Sequence, residues 1–199
     1  THQALAILEH NVDDSIVAYE PRYFIYSAIP DHVNRLINIK GWGSDGPKFI
    51  LDDNDTLKFV GYFLSQPLTD YEKRRNKLFE SEIYKRFHGI EGGDRDVDLF
   101  IAMIDRMQDI VKRKYPNCEF HIMYWEHQWD GKYKKMCNKI MERLKEKEND
   151  WHVHYMSTII PDYKTNSYKH HLYYPYDAHQ KEYINDTIAS YIARKIVTK

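Results

Sequence analysis

What this chain lacks narrows the reading before any motif is considered. It holds two cysteines, Cys118 and Cys137, in 199 residues, too few for a disulfide framework and placed where core thiols are expected. No apolar run approaches the length of a bilayer crossing, so a membrane span in this chain is not expected. Charge of one sign is missing as well: 29 basic residues face 30 acidic ones, for a formal net charge of −1. That balance gives no electrostatic case for a nucleic-acid or anionic-membrane partner. Glycines are few, eight in all, and the cluster within Lys40–Pro47 lacks the spacing and the lysine-serine ending of a phosphate loop. The acidic tip Asp52-Asp53-Asn54-Asp55 lacks the ligand spacing and closing glutamate of a calcium loop, so a solvated turn is expected there.

What is present is an apolar and aromatic content of 42% and 15%, enough for one sizeable core and one domain over 1–199. Residues 2–19 read as helical up to Pro21. Tyr23–Ile29 is a short aromatic, β-branched run closed by Pro30, the signature of a buried strand. Phe49–Leu51 and Leu57–Phe63 flank the acidic tip as a hairpin, an insertion over about 48–63. Asp70–His88 reads as a charged helix with Tyr71, Leu78, Phe79, Ile83, Tyr84 and Phe87 on its apolar side. The next helix carries Val97, Phe100, Ile101, Ile104, Met107 and Val111, with Asp94 or Asp96 as its cap. Cys118–Trp125 is a strand, 132–147 a helix around Met136, Cys137, Ile140 and Leu144, and His152–Met156 a short strand. The last helix, 180–197, repeats isoleucine at 184, 188, 192 and 196. Strands alternating with helices predict an α/β domain: a three-layer α/β/α, flavodoxin-like, mostly parallel sheet carrying the hairpin.

In such sheets, ligand-binding groups gather at the carboxyl ends of the strands. Three polar groups should meet there: Asp31, His32 and Asn34 after the first strand, Glu126 and His127 after the second long one, and Asp177-Ala178-His179 before the last helix. A carboxylate two residues from an imidazole can orient that ring as a general base. The competing expectation is that Asp177 caps the final helix and His179 sits in its first turn.

Asp177-x-His179, followed by a helix with Ile184, Ile188, Ala189 and Ile192, resembles the last conserved block of the SGNH (GDSL-type) hydrolases. Tyr23–Arg35 is similar to the strand that carries an earlier block in one branch of that family, and Cys118–Glu126 to the strand before its penultimate helix. The resemblance implies a serine esterase or acyltransferase acting on a small-molecule, glycan or lipid ester without a cofactor. It makes His179 the base and Asp177 its orienting partner, with Asp31, His32, Asn34, Glu126 and His127 in the pocket or oxyanion region. The family's Gly-Asp-Ser block has no counterpart among the serines here. The nucleophile is therefore expected upstream of Thr1, the sequence being N-terminally incomplete and this stretch alone inactive.

Two other chemistries compete. Tyr163, Tyr168, Tyr173, Tyr174 and Tyr176, with Trp125 and Trp129, would suit a non-catalytic module that binds carbohydrate or acyl groups by stacking. His152, His154, His170, His171, Asp177 and His179 supply zinc-type donors. They lack the tight paired spacing of zinc sites, so no metal ligand is assigned.

Overall fold

The computed structural model describes residues 1–10, 20–38, 45–88, 91–126, 134–160, 162–163 and 180–198. In chain order the elements are α1 (His2–Glu9), β1 (Tyr23–Ala28), α2 (Asp31–Leu36), and the hairpin strands β2 (Pro47–Leu51) and β3 (Leu57–Tyr62). A 3₁₀ turn, Phe63–Ser65, leads to α3 (Asp70–Glu80), α4 (Glu82–His88) and the long α5 (Asp94–Lys114). Then come β4 (Glu119–Tyr124), α6 (Lys134–Glu146), β5 (His152–Tyr155), α7 (Met156–Ile159) and α8 (Glu182–Ile192), which runs on into a π-helical turn over Ala193–Val197. The fold is mixed α/β: a three-stranded parallel sheet in the order β1-β4-β5 and a separate antiparallel pair, β2 with β3.

Central strand β4 explains why helices must cover this sheet. From Phe120 to Tyr124 its alternating side chains are buried on both faces. Phe120, Ile122 and Tyr124 join the large core built by α1, α5 and α6, around Leu5, Phe100, Ile104, Met107 and Ile140. Met123 and Trp125 face the other way and pack with Met156, Ile159, Ile160, Tyr163 and Ile184, with Ile188 and Ile192 alongside. The edge strands follow the same parity. Phe24 of β1 stacks on Phe120 at 5.1 Å between ring centroids, while Ser27, one face over, accepts a hydrogen bond from Trp125 Nε1 at 3.0 Å.

The expected amphipathic stripe of α5 is buried throughout, and Leu99, Met103 and Ile110 join it. The N-cap is Gly93 rather than Asp94 or Asp96; Asp96, inside the first turn, closes a capping box by accepting the Gly93 amide at 2.9 Å. The expected single helix over 70–88 is a correction. It breaks at Ser81, whose extended backbone (ψ 117°) ends α3, and α4 restarts beyond it. The apolar side expected for that helix is also incomplete, since Leu78 is 50% and Ile83 74% exposed. Helix α7, wedged directly behind β5, has no hydrophobic periodicity of its own and was not expected. Of the expected helix over 2–19, the described part is α1.

The hairpin is anchored by a buried charge. Lys48, 2% exposed, donates to Glu72 Oε2 at 2.8 Å and to the Pro67 carbonyl at 3.1 Å. Glu72 also closes a capping box with Thr69 at the start of α3. Burial alone would raise the Glu72 pKa, but the bonds from Lys48 and Thr69 together outweigh it and hold it below the usual value. Removing one partner of a buried pair leaves the other charge unsatisfied, which costs about 3–5 kcal/mol. Lys48→Ala is therefore expected to lower unfolding free energy by about that amount in urea titration; a loss below about 1 kcal/mol, the worth of an exposed pair, would show that the pair does not hold the hairpin.

Candidate functional site

The polar groups that collect at the carboxyl edge of the sheet come from four elements. After β1 the chain turns at Pro30 into α2, and Asn34 on that helix is 1% exposed. Its Oδ1 accepts the Gly92 amide at 3.1 Å, which ties α2 to the approach of α5. Gly92 must be glycine: a Cβ there would lie 2.6 Å from Val33 Cγ1. The other half of the Asn34 amide, Nδ2, is buried without a hydrogen-bond partner among the described residues.

At the end of β4, Glu126 takes two hydrogen bonds from Ser157 of α7, from its amide at 2.7 Å and its hydroxyl at 2.9 Å. The carboxylate thus joins the carboxyl ends of β4 and β5 and holds the first turn of α7. Its charge adds to burial in raising the hydroxyl pKa of Tyr124 and Tyr163. Cys137, on α6, has its thiol pushed up to about 12 by burial and then by Glu91, so it stays protonated. Both cysteines are free and buried, as expected of core thiols.

His32 looks inward rather than along the edge. Its Nδ1 is 3.0 Å from Tyr26 Oη, whose oxygen also meets the Thr1 hydroxyl. Asp31 instead pairs with Arg35 at 2.9 Å on the same helix. Burial, reinforced by the positive charge of Arg35, drives the His32 pKa down to about 3. A neutral imidazole at every physiological pH that is already committed to Tyr26 suits a structural part better than a base. Asp31, His32, Asn34 and Glu126 are thus all at the carboxyl ends of neighbouring parallel strands, but each engages its own partner.

The direction of α8 decides what else arrives at this edge. Its first turn places Ile184 among Met123 and Trp125, at the carboxyl end of β4. Two turns on, Tyr191 Oη is 2.9 Å from His154 Nδ1, back along β5. Beyond the helix the Val197 carbonyl accepts from Tyr23 Oη at 3.5 Å, at the amino end of β1. Helix α8 therefore runs antiparallel to the strands, with its N-terminus at their carboxyl edge. The N-cap of α8 is Lys181. Asp177, His179 and His127 lie outside the described residues, as do Tyr168, Tyr173, Tyr174, Tyr176, Trp129, His170 and His171.

Sequence reasoning missed a second polar cluster, on the α8-facing side of the sheet. His121 Nδ1 lies 2.9 Å from His154 Nε2, His121 stacks on His152 with centroids 4.8 Å apart, and Glu119 is 3.2 Å from His121 Nε2. The parity of His152 and His154 was visible in the sequence; the third imidazole is supplied by the neighbouring strand through register. Among the described residues, no group of three or more histidine, cysteine or acidic side chains is arranged to hold a metal ion. The rings instead stack, with His154 hydrogen-bonded to His121 on one side and to Tyr191 of α8 on the other, bridging sheet to helix.

Comparison with protein-family models, with curated proteins and with solved structures gives no match to this chain.

The buried neutral His32 makes stability depend on pH. Its folded pKa of about 3 lies below the ordinary 6.5, so between those values the unfolded chain binds a proton that the folded one does not. Stability should be full above about pH 6.5 and fall progressively as pH drops toward 3. His32→Gln is expected to flatten the decline in urea midpoint between pH 7 and pH 5; an identical slope in the two proteins would remove His32 as the cause.

Proposed function

We propose that this chain carries the base and its orienting acid of an SGNH-type acyl hydrolase or acyltransferase: His179 and Asp177, at the carboxyl edge of a three-layer, flavodoxin-like sheet. The observation that carries the reading is the antiparallel run of α8. A chain entering that helix must do so from the edge where Asn34 and Glu126 end the neighbouring strands, and Asp177-x-His179 immediately precedes it in sequence. The N-cap of that helix is Lys181, which supports a part for Asp177 other than capping residue.

In this mechanism a serine hydroxyl, contributed by sequence outside these 199 residues, attacks the ester carbonyl. His179 takes the hydroxyl proton and returns it to the departing alcohol, leaving an acyl-serine. Water, or an acceptor hydroxyl in a transferase, then attacks the acyl group, its proton passing to His179 and back to the serine. Asp177 holds the imidazole in the required tautomer and stabilises the imidazolium. Asn34 supports the reading as a buried amide with an unspent donor, the type of group that stabilises an oxyanion. No cofactor enters the scheme.

In the complete protein, a fluorophosphonate probe should label one serine. General-base catalysis is worth about 10²–10⁴ in rate, so His179→Ala should slow labelling by at least about a hundredfold while leaving the fold intact by circular dichroism. Unchanged labelling in a folded His179→Ala protein would exclude this residue as the base.

A further inference from the structure

The imidazole cluster beneath α8 takes no part in the acyl-transfer scheme. His121, on β4, is 4% exposed. Its Nδ1 lies 2.9 Å from His154 Nε2, and the other nitrogen of His154 lies 2.9 Å from Tyr191 Oη on α8. His152 stacks on His121 with centroids 4.8 Å apart. We propose that this cluster is a pH-sensitive latch: protonation of the paired imidazoles at mildly acidic pH loosens the docking of α8 on the sheet.

The latch follows from counting protons. A contact between two ring nitrogens holds one proton, donated by one ring and accepted by the other. Glu119 lies 3.2 Å from His121 Nε2, and an ionised carboxylate favours a proton on that nitrogen. His121 Nδ1 then accepts from His154 Nε2, which leaves His154 Nδ1 to accept from the Tyr191 hydroxyl. Both rings are neutral in this arrangement, and each contact has one donor and one acceptor. One added proton is tolerated: it sits on His154 Nδ1, and the Tyr191 oxygen turns from donor to acceptor. A second must go to His121 Nδ1, where it meets the N–H of His154. The hydrogen bond is then lost, and two like charges are left in contact on a largely buried face.

The surroundings do not neutralise that second charge. From β4, Glu119 supplies a single carboxylate. From β5, His152 brings another ring that gains positive charge on acidification. From β1 comes the Tyr23 ring, 6.1 Å from His121, with the Arg22 guanidinium 6.0 Å from the centre of that ring. From α8 comes the Tyr191 hydroxyl, kept protonated by burial, and Arg194 and Lys195 follow it within about one helical turn. His121 and His154 are fixed in paired strands, so the side that yields is the helix. Its first turn stays anchored by Ile184, while Ile188, Tyr191 and Ile192 are only partly buried. The latch does not depend on the acyl-transfer reading. Only its consequence does: α8 follows Asp177-x-His179 in sequence, so a loosened helix would slacken the proposed base.

The test is backbone hydrogen exchange of the complete protein at pH 7 and pH 5, with protection corrected for the intrinsic rate and α5 as internal reference. The reference removes any global loss of stability, including that from His32. Rings freed from the contact titrate near the ordinary histidine value of about 6.5. An open state that binds one more proton than the closed one should therefore lower α8 protection, relative to α5, by at least about tenfold. His154→Gln keeps a donor and an acceptor between His121 and Tyr191 but cannot be charged, and should abolish this relative fall. Tyr191→Phe should lower α8 protection by about fivefold already at pH 7, the worth of one hydrogen bond, and leave a smaller further fall. Parallel behaviour of α8 and α5 in the unaltered protein, the same relative fall in His154→Gln, or an unchanged profile in Tyr191→Phe would overturn the proposal. Exchange reads no chemistry and fluorophosphonate labelling reads no docking, so the latch and the acyl-transfer reading can fail separately.

Discussion

The rest of the structure depends on burying β4 on both faces. A strand that buries side chains on both faces needs packing partners on both, and the chain supplies them from its middle and from near its end. Helices α5 and α6, which flank β4 in sequence, take the side of Ile122 and Tyr124. Helix α8, near the chain's end, takes the side of Met123 and Trp125 through Ile184. Sealing that second face fixes the direction of α8, and the direction brings its N-terminus to the edge where Glu126 binds Ser157.

Buried polar groups sort into those that build the scaffold and those that retain capacity. Lys48 with Glu72, Asp96 with Arg75 and Tyr71, and Glu126 with Ser157 each tie two elements together. Such ties are not local in sequence: Lys48 reaches α3 across the hairpin, and Glu126 crosses from β4 to the helix behind β5. Arg75 Nε, in the second of these networks, is buried without a hydrogen-bond partner among the described residues.

Much of this fold was legible because burial imposes a period. The isoleucines and valines of α5, the alternation of β4 and the Ile184 repeat each state which face is covered, and each is found covered. Long-range partnership leaves no such trace. Asp96 could be suspected as a cap, but not as the partner of Arg75. His152 and His154 could be assigned to one face of a strand, but only the register of β4 against β5 brings in His121. Ser81 interrupts a helical pattern without glycine or proline, and the exposure of Leu78 and Ile83 shows that an apolar stripe is not always a buried one. At the site, Asp31, Asn34 and Glu126 could be assigned to strand ends from order alone; that His32 would turn to Tyr26 and Glu126 to Ser157 required the tertiary structure.

The central claim is that the segment entering α8 holds an imidazole oriented by a carboxylate. Proton NMR of the complete protein, with histidine labelled by ¹⁵N, tests it directly. The account predicts a strongly deshielded Nδ1 proton on His179, protected from exchange and lost in Asp177→Asn. A freely exchanging ring that titrates at the ordinary histidine pKa of about 6.5, and is indifferent to Asp177→Asn, would contradict it.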